Sequence, residues 1–164
     1  MKNILLTVAI AFGISISAMS ASAATSFEVE AFNRATEKGS SAIKTKNYER
    51  AFNYLDKASK LGNKESQYQL ALLYMEGLGV KQDYIRAYIW LNVAVEVKEK
   101  NWQKVRDMLH NALSEDDRAA LAPMINEYIT KYGAEAQEIS CSKRAARGSN
   151  RKFMQCSKFL TPGL

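Results

Sequence analysis

The sequence predicts an all-α protein, a right-handed α-α solenoid of about three helical hairpins. Three observations lead there. Apolar side chains recur at three- and four-residue spacing from Phe32 to Ile129. Glycine-bearing turns, Leu61-Gly62-Asn63 and Gly77-Leu78-Gly79, interrupt that pattern between helix-length segments. The hairpins also repeat. Tyr48, Ala51, Leu55 and Ala58 match Tyr84, Ala87, Leu91 and Ala94 at a constant offset of 36, and Gly39 and Ala42 match Ala71 and Tyr74 at an offset of 32. The sharpest copy, residues 61–96, is a helix, a tight turn and a helix. One such hairpin cannot bury its own apolar face, so it implies stacked neighbours.

The 164 residues have room for one domain with a real core. Two prolines, eight glycines and an abundance of strong helix formers favour helix throughout. The first 23 residues stand apart. Lys2 supplies a positive start, residues 4–16 are apolar but for Thr7, Gly13 and Ser15, and Ala21-Ser22-Ala23 offers small residues for signal peptidase. This is the pattern of a secretory signal peptide cut after Ala23, too short and interrupted for a retained anchor. Three segments follow from this: signal peptide 1–23, helical repeat domain 24–133, and basic tail 134–164. The expected location is periplasmic or secreted, with no transmembrane segment in the mature chain. Cleavage removes Lys2 and no acid, so the net charge of +6 falls by one and stays basic.

The first helical segment and its exit turn cover residues 25–47. Thr25 and Glu28 have capping-box spacing, and Phe32, Ala35, Gly39, Ala42 and Ile43 share one face. Asn47 suits the N-cap of a second helix with Tyr48, Ala51, Phe52, Leu55 and Ala58 as its buried stripe. Gly62 suits a left-handed helix end. Tyr68, Leu70, Ala71, Leu73 and Tyr74 make the next apolar face. Gly77-Leu78-Gly79 breaks the helix, and Asp83 caps a fourth with Tyr84, Ala87, Tyr88, Trp90, Leu91, Ala94 and Val95 inward. Aromatics alternate with alanines, as close antiparallel helix packing requires. The third hairpin starts near Asn101. Its stripes are Trp102, Val105, Met108, Leu109 and Ala112, then Leu121, Met124, Ile125, Tyr128 and Ile129. Ser114 is a good N-cap before the acidic turn Glu115-Asp116-Asp117, Pro123 kinks or restarts the helix, and Gly133 ends it.

From Ala134 the chain is small, polar and basic. Its only cysteines, Cys141 and Cys156, lie here. In an exported chain an even pair in a loop-rich tail is most simply a disulfide. The pair lacks CxxC spacing, and a lone histidine cannot complete a zinc site.

The second unit resembles a Sel-like repeat, a relative of the tetratricopeptide repeat. The residues that carry the resemblance are Gln67-Tyr68, Leu70, Tyr74, Gly77-Leu78-Gly79-Val80, Asp83, Ala87, Trp90 and Ala94. Ala71 stands where the family has glycine, and Ser66 where it has alanine. The first unit, with Gly39, Ala51, Leu55 and Ala58, is closer to a plain tetratricopeptide repeat. The resemblance extends over roughly residues 30–120, and the short cysteine-bracketed tail is similar to the ends of exported members. It implies that the leading helices line a concave groove. Glu65, Tyr68, Leu72, Met75 and Glu76 would face it in the second unit, and Asn33, Thr36, Ser40, Ile43 and Lys44 in the first.

No catalytic constellation emerges, and the chain is not expected to be an enzyme or to need a cofactor or metal. His110 is the single histidine, with no evident nucleophile or orienting group beside it. Gly77-Leu78-Gly79 lacks the third glycine and preceding strand of a dinucleotide loop. The acidic triplet 115–117 reads as a helix first turn. The basic residues Lys143, Arg144, Arg147, Arg151 and Lys152 either form a solvated tail or meet an anionic partner, such as a lipid headgroup, a cell-envelope polymer or an acidic protein. Nucleic acid fits an exported chain less well. The leading expectation is an exported interaction module that holds a protein segment or a cell-envelope component in its groove. Two alternatives stand beside it: a cell-wall-directed hydrolase of the penicillin-binding type, and a secreted host-interaction factor.

Overall fold

The computed structural model describes residues 18–145, 148 and 152–158, with side chains from Ser26 onward. Most of the predicted signal segment, together with Arg147 and Arg151, lies outside the described residues. Six helices follow in order: α1 (Ala18–Lys44), α2 (Tyr48–Lys60), α3 (Lys64–Glu76), α4 (Tyr84–Ala94), α5 (Lys100–Ala112) and α6 (Glu115–Tyr132). A 3-10 turn, Val95–Val97, follows α4, and two strands, β1 (Ile139–Ala145) and β2 (Lys152–Lys158), close the chain.

Side-chain caps set the helix starts. Asn47, Asp83 and Ser114 accept from the backbone N–H of Arg50, Arg86 and Asp117, as the sequence suggests. Asn63, which the sequence places in a closing turn, caps α3 through Ser66 N–H at 2.8 Å. Each such cap is worth about 1 kcal/mol. The capping-box expectation at Thr25 does not hold, because α1 is already helical from Ala18 and no start is needed there.

The helices pack as consecutive pairs, α1 on α2 and α3 on α4, with α2 against α3. Gly39 makes the first pair close: a Cβ there would lie 2.8 Å from Leu55 Cδ2. The main core gathers Ala42, Ala51 and Leu55 with Leu70, Ala71, Tyr74, Ala87, Trp90 and Leu91. This is the alternation of alanine and aromatic read from the sequence. The third pair departs from the first two, since α5 and α6 each lie against α4. Part of each predicted stripe therefore faces solvent, while Val105, Leu121, Ile125, Tyr128 and Ile129 pack partly against the main core. Met108 and Met124 are exposed, as is Ala112, and α6 has no fully buried residue. Tyr84, expected inside, sits on the exposed first turn of α4. Pro123 is accommodated within a continuous α6.

The tail is not a loop. Strands β1 and β2 pair antiparallel from Ile139 opposite Lys158 to Ala145 opposite Lys152. Cys141 faces Cys156 across the ladder, and the two form a disulfide with their Cα atoms 4.0 Å apart. No helix among the described residues is long and apolar enough to cross a membrane.

Candidate functional site

The leading helices α1, α3 and α5 carry the face on which the hairpin rests. Alternate side chains of β2, Met154, Cys156 and Lys158, turn inward. Met154 packs with Ala94 and Trp102, flanked by Tyr68, Val95, Val97 and the two half-cystines. The Tyr68 ring stacks on Trp102, with centroids 4.9 Å apart and planes 12° from parallel. Burial pushes the Tyr68 phenol up from its ordinary value. Lys143 of β1 pairs with Glu99 at 2.8 Å, and Lys158 of β2 pairs with Glu28 of α1 at 3.4 Å. The backbone at Gly62 comes equally close: with φ +90, a Cβ there would lie 2.6 Å from Gln137 Cβ and 2.7 Å from Ile139 Cγ1.

Between hairpin and helices lies a cleft of 250 Å³. One wall is the α1 face bearing Phe32, Asn33, Thr36 and Glu37. Asn63 and Glu65 stand at the start of α3, and consecutive β2 residues, Phe153 to Cys156, form the other wall. Consecutive strand residues point to opposite faces, so the cleft runs along the edge of β2. Asn63 Nδ2 donates to Thr36 Oγ1 at 3.1 Å, and Thr36 Oγ1 donates to Phe32 O at 2.8 Å, which fixes the floor. Glu65 accepts from Gln69 Nε2 at 3.1 Å. Desolvation raises its carboxyl above the ordinary value, and the Gln69 bond opposes this.

The ten groove residues inferred from the sequence divide. Asn33, Thr36 and Glu65 line the cleft together. Tyr68 adjoins it beneath the hairpin. Ser40 and Leu72 are half-buried further along α1 and α3. Ile43 and Met75 pack partly against the main core, and Lys44 and Glu76 are exposed at the helix ends. Among the basic candidates, Lys143 is ion-paired, whereas Arg144 and Lys152 are exposed near the hairpin tip. Sequence reasoning missed Phe153, Met154 and Glu37 as site residues. The available signal was the alternation of apolar and polar residues around Cys141 and Cys156, which the surrounding lysines and arginines obscured.

A second polar cluster is internal. The Lys64 ammonium is fully buried and donates toward Gln67 Oε1 at 3.1 Å, Val93 O at 3.3 Å, Glu96 Oε2 at 2.5 Å and Tyr132 O at 3.4 Å. Gln67 Nε2 donates to Ser59 O and Tyr132 O. Burial lowers the Lys64 amine from its ordinary value, and Glu96 opposes the shift. With its protons committed to these acceptors, Lys64 ties helices together and presents nothing to a substrate. His110 Nδ1 lies 2.8 Å from the Tyr88 hydroxyl on the partly buried side of α5. Among the described residues, no group of His, Cys, Asp and Glu could hold a metal.

Paired helices stacked through one continuous core, with a face of leading helices, define an α-helical repeat protein. Residues 32–63 and 64–96 each match the Sel1 repeat, so the chain carries two Sel1 repeats. The first unit, which on sequence is closer to a plain tetratricopeptide repeat, is therefore a Sel1 repeat as well. Among solved structures, the chain is similar to a protective antigen present in uropathogenic Escherichia coli strains displaying an SLR fold. The match has 27% identity and a TM-score of 0.50, and covers 55% of this chain and 20% of that one. The chain thus spans about a fifth of that protein's length. Among curated proteins, none matches. Sel1 repeats are in general protein–protein interaction folds, not catalytic ones.

Proposed function

We propose that this chain is an exported adaptor that takes a protein segment along the leading helices of its two Sel1 repeats. The observation that carries this reading is the cleft in which Asn33, Thr36 and Glu65 meet the edge of β2. It combines the hydrogen-bonded Asn63 and Thr36 with the exposed Phe153 ring, which suits an extended polypeptide. Export fits the leader-like first 23 residues and the disulfide in the tail. The engagement of Lys64 by four acceptors weighs against the cell-wall hydrolase.

The test uses capture from an envelope extract. Asn33→Trp fills the cleft from an exposed α1 position, and Asn53→Trp places the same bulk on an exposed α2 position. The reading expects Asn33→Trp to lose the captured protein and Asn53→Trp to keep it, with helical circular dichroism unchanged. Equal recovery by the two variants would overturn it.

A secreted, host-directed role is a second reading. It is favoured by the likeness to a protective antigen, a class of protein that an immune system meets. Contact with an anionic envelope surface through Arg144 and Lys152 is compatible with either role, because both are exposed at the hairpin end away from the Lys158–Glu28 pair.

A further inference from the structure

A second cleft, of 450 Å³, opens between α1 and α2, and none of its lining residues belongs to the cleft beside β2. Two helical stripes form it: Phe27, Ala31 and Ala35 on α1, and Tyr54, Lys57 and Leu61 on α2. The helices run antiparallel, so Leu61 lies at the Phe27 end and Arg50 at the Lys38 end. The two ends differ in character. At the first the wall is carbon, and Phe27 is 72% exposed beside Ala31 and Leu61. The charges there cancel, since Arg34 pairs with Glu30, and Lys60 with Asp56 at 2.7 Å. At the other end three cations surround the half-buried Tyr54 ring. Lys38 Nζ lies 5.4 Å from its centroid, and Lys57 Nζ and the Arg50 guanidinium carbon 5.7 Å. None of the three has a carboxylate partner among the described residues. The ring attracts each cation but leaves the positive charge uncompensated. Glu49 is the one acid lining the recess beyond Tyr54, so cations are in excess there.

We propose that this groove binds a single-chain anionic amphiphile, a long-chain carboxylic acid. Its alkyl chain lies against Phe27, Ala31 and Leu61, and its carboxylate sits among Lys38, Arg50 and Lys57. Concave sites with an apolar wall and a few convergent polar groups suit small ligands of this kind. From Phe27 to Lys38 the groove runs about 16 Å at the α-helical rise. The apolar end offers no free donor or acceptor, so a polypeptide backbone laid there would lose hydrogen bonds, whereas an alkyl chain loses none. The cations select a carboxylate over a neutral lipid, because charge-assisted hydrogen bonds are the stronger ones. A channel between two helices admits one chain, not a bilayer surface. This site is independent of the protein-binding reading of the β2 cleft.

The test titrates laurate, below its micelle concentration, into the full chain by calorimetry. Dodecanol serves as the same chain without the carboxylate. Laurate is expected to bind at least ten-fold more tightly than dodecanol. It is also expected to slow amide exchange in residues 50–61 but not in residues 100–112, which separates the groove from the apolar leader. Ala31→Trp fills the carbon end, and Lys38→Glu with Lys57→Glu inverts the charged end. Each variant is expected to weaken laurate binding at least ten-fold with helical circular dichroism unchanged. Lys104→Glu, the same charge change at an exposed α5 position, keeps it. The two lysines are themselves exposed, so the double variant tests the site even where Ala31→Trp disturbs packing. Equal affinity for laurate and dodecanol, undiminished laurate binding by the double variant, or binding to phosphatidylglycerol vesicles without binding to laurate would overturn the proposal.

Discussion

Lys64 and Glu96 close the second Sel1 repeat on itself, for the ion pair joins its first residue to its last across 2.5 Å. Glu96 also accepts from Ala134 N–H at 3.0 Å, so the same carboxylate pins the turn after α6. Lys64 is fully buried, while the Glu96 side chain keeps 28% of its exposure. That asymmetry sets the order of two substitutions. Glu96→Ala leaves a buried ammonium without its anion and is expected to cost about 3–5 kcal/mol. Lys64→Met leaves a carboxylate that can turn to water and is expected to cost clearly less. Urea denaturation of both variants measures the order, and a larger loss for Lys64→Met would contradict it.

Glu65 gives a pH dependence whose sign is fixed. Burial raises its folded-state pKa above the ordinary 4.5, so the folded chain holds the proton more tightly than the unfolded chain. The stability this confers is full below pH 4.5 and is lost as pH rises through the folded-state pKa. Glu65→Gln removes the titration. The variant is therefore expected to gain stability on the native chain between pH 4 and pH 7, as read by denaturant midpoints at the two values. A gap that narrows toward pH 7 would show the opposite shift.

The two turn glycines of the second repeat are unequal. Gly79 has φ +68, and a Cβ there would meet the Tyr48 carbonyl carbon and oxygen at 2.3 Å. Gly77 has φ +66, but its Cβ would come no closer than 3.3 Å to Gln82 Cβ and 3.4 Å to Gln82 N. Left-handed backbone costs a non-glycine residue about 1–3 kcal/mol at either site. Gly79→Ala adds a clash with the first repeat and is expected to lower the melting temperature more than Gly77→Ala.

Removal of the disulfide should act locally. A cross-link spanning 15 residues contributes about 3 kcal/mol in the chain-entropy model. In the double Cys141→Ser, Cys156→Ser variant, amides of β1 and β2 are expected to exchange about 100-fold faster, the equivalent of that energy. Amides in the centres of α2, α3 and α4 keep their protection. Hydrogen exchange by mass spectrometry resolves the two regions.

The repeats were legible because their signals are local. Asn47, Asp83 and Ser114 stand where caps must stand, and Gly77 and Gly79 mark a turn that only glycine fills easily. The alanine–aromatic stripes of α2, α3 and α4 became the core. What escaped depends on distant partners. Lys64 looks like a solvated first-turn lysine until Tyr132, 68 residues away, supplies a carbonyl. The α6 stripe has the right period but only α4 and the edge of α2 to cover it. Met154 reads as one apolar residue in a basic tail, and only the register of the hairpin turns it toward Trp102. The cleft was half visible: repeat positions indicated Asn33, Thr36 and Glu65, but nothing local says that β2 forms the opposite wall.

Site-specific photo-crosslinking tests the central claim most directly. A photoreactive residue is placed at Asn33, in the cleft, and in a separate chain at Asn53, on α2, and each is irradiated in envelope extract. The account predicts a discrete protein adduct from position 33 that is absent from position 53. The same adducts from both positions, or none from position 33, would contradict it.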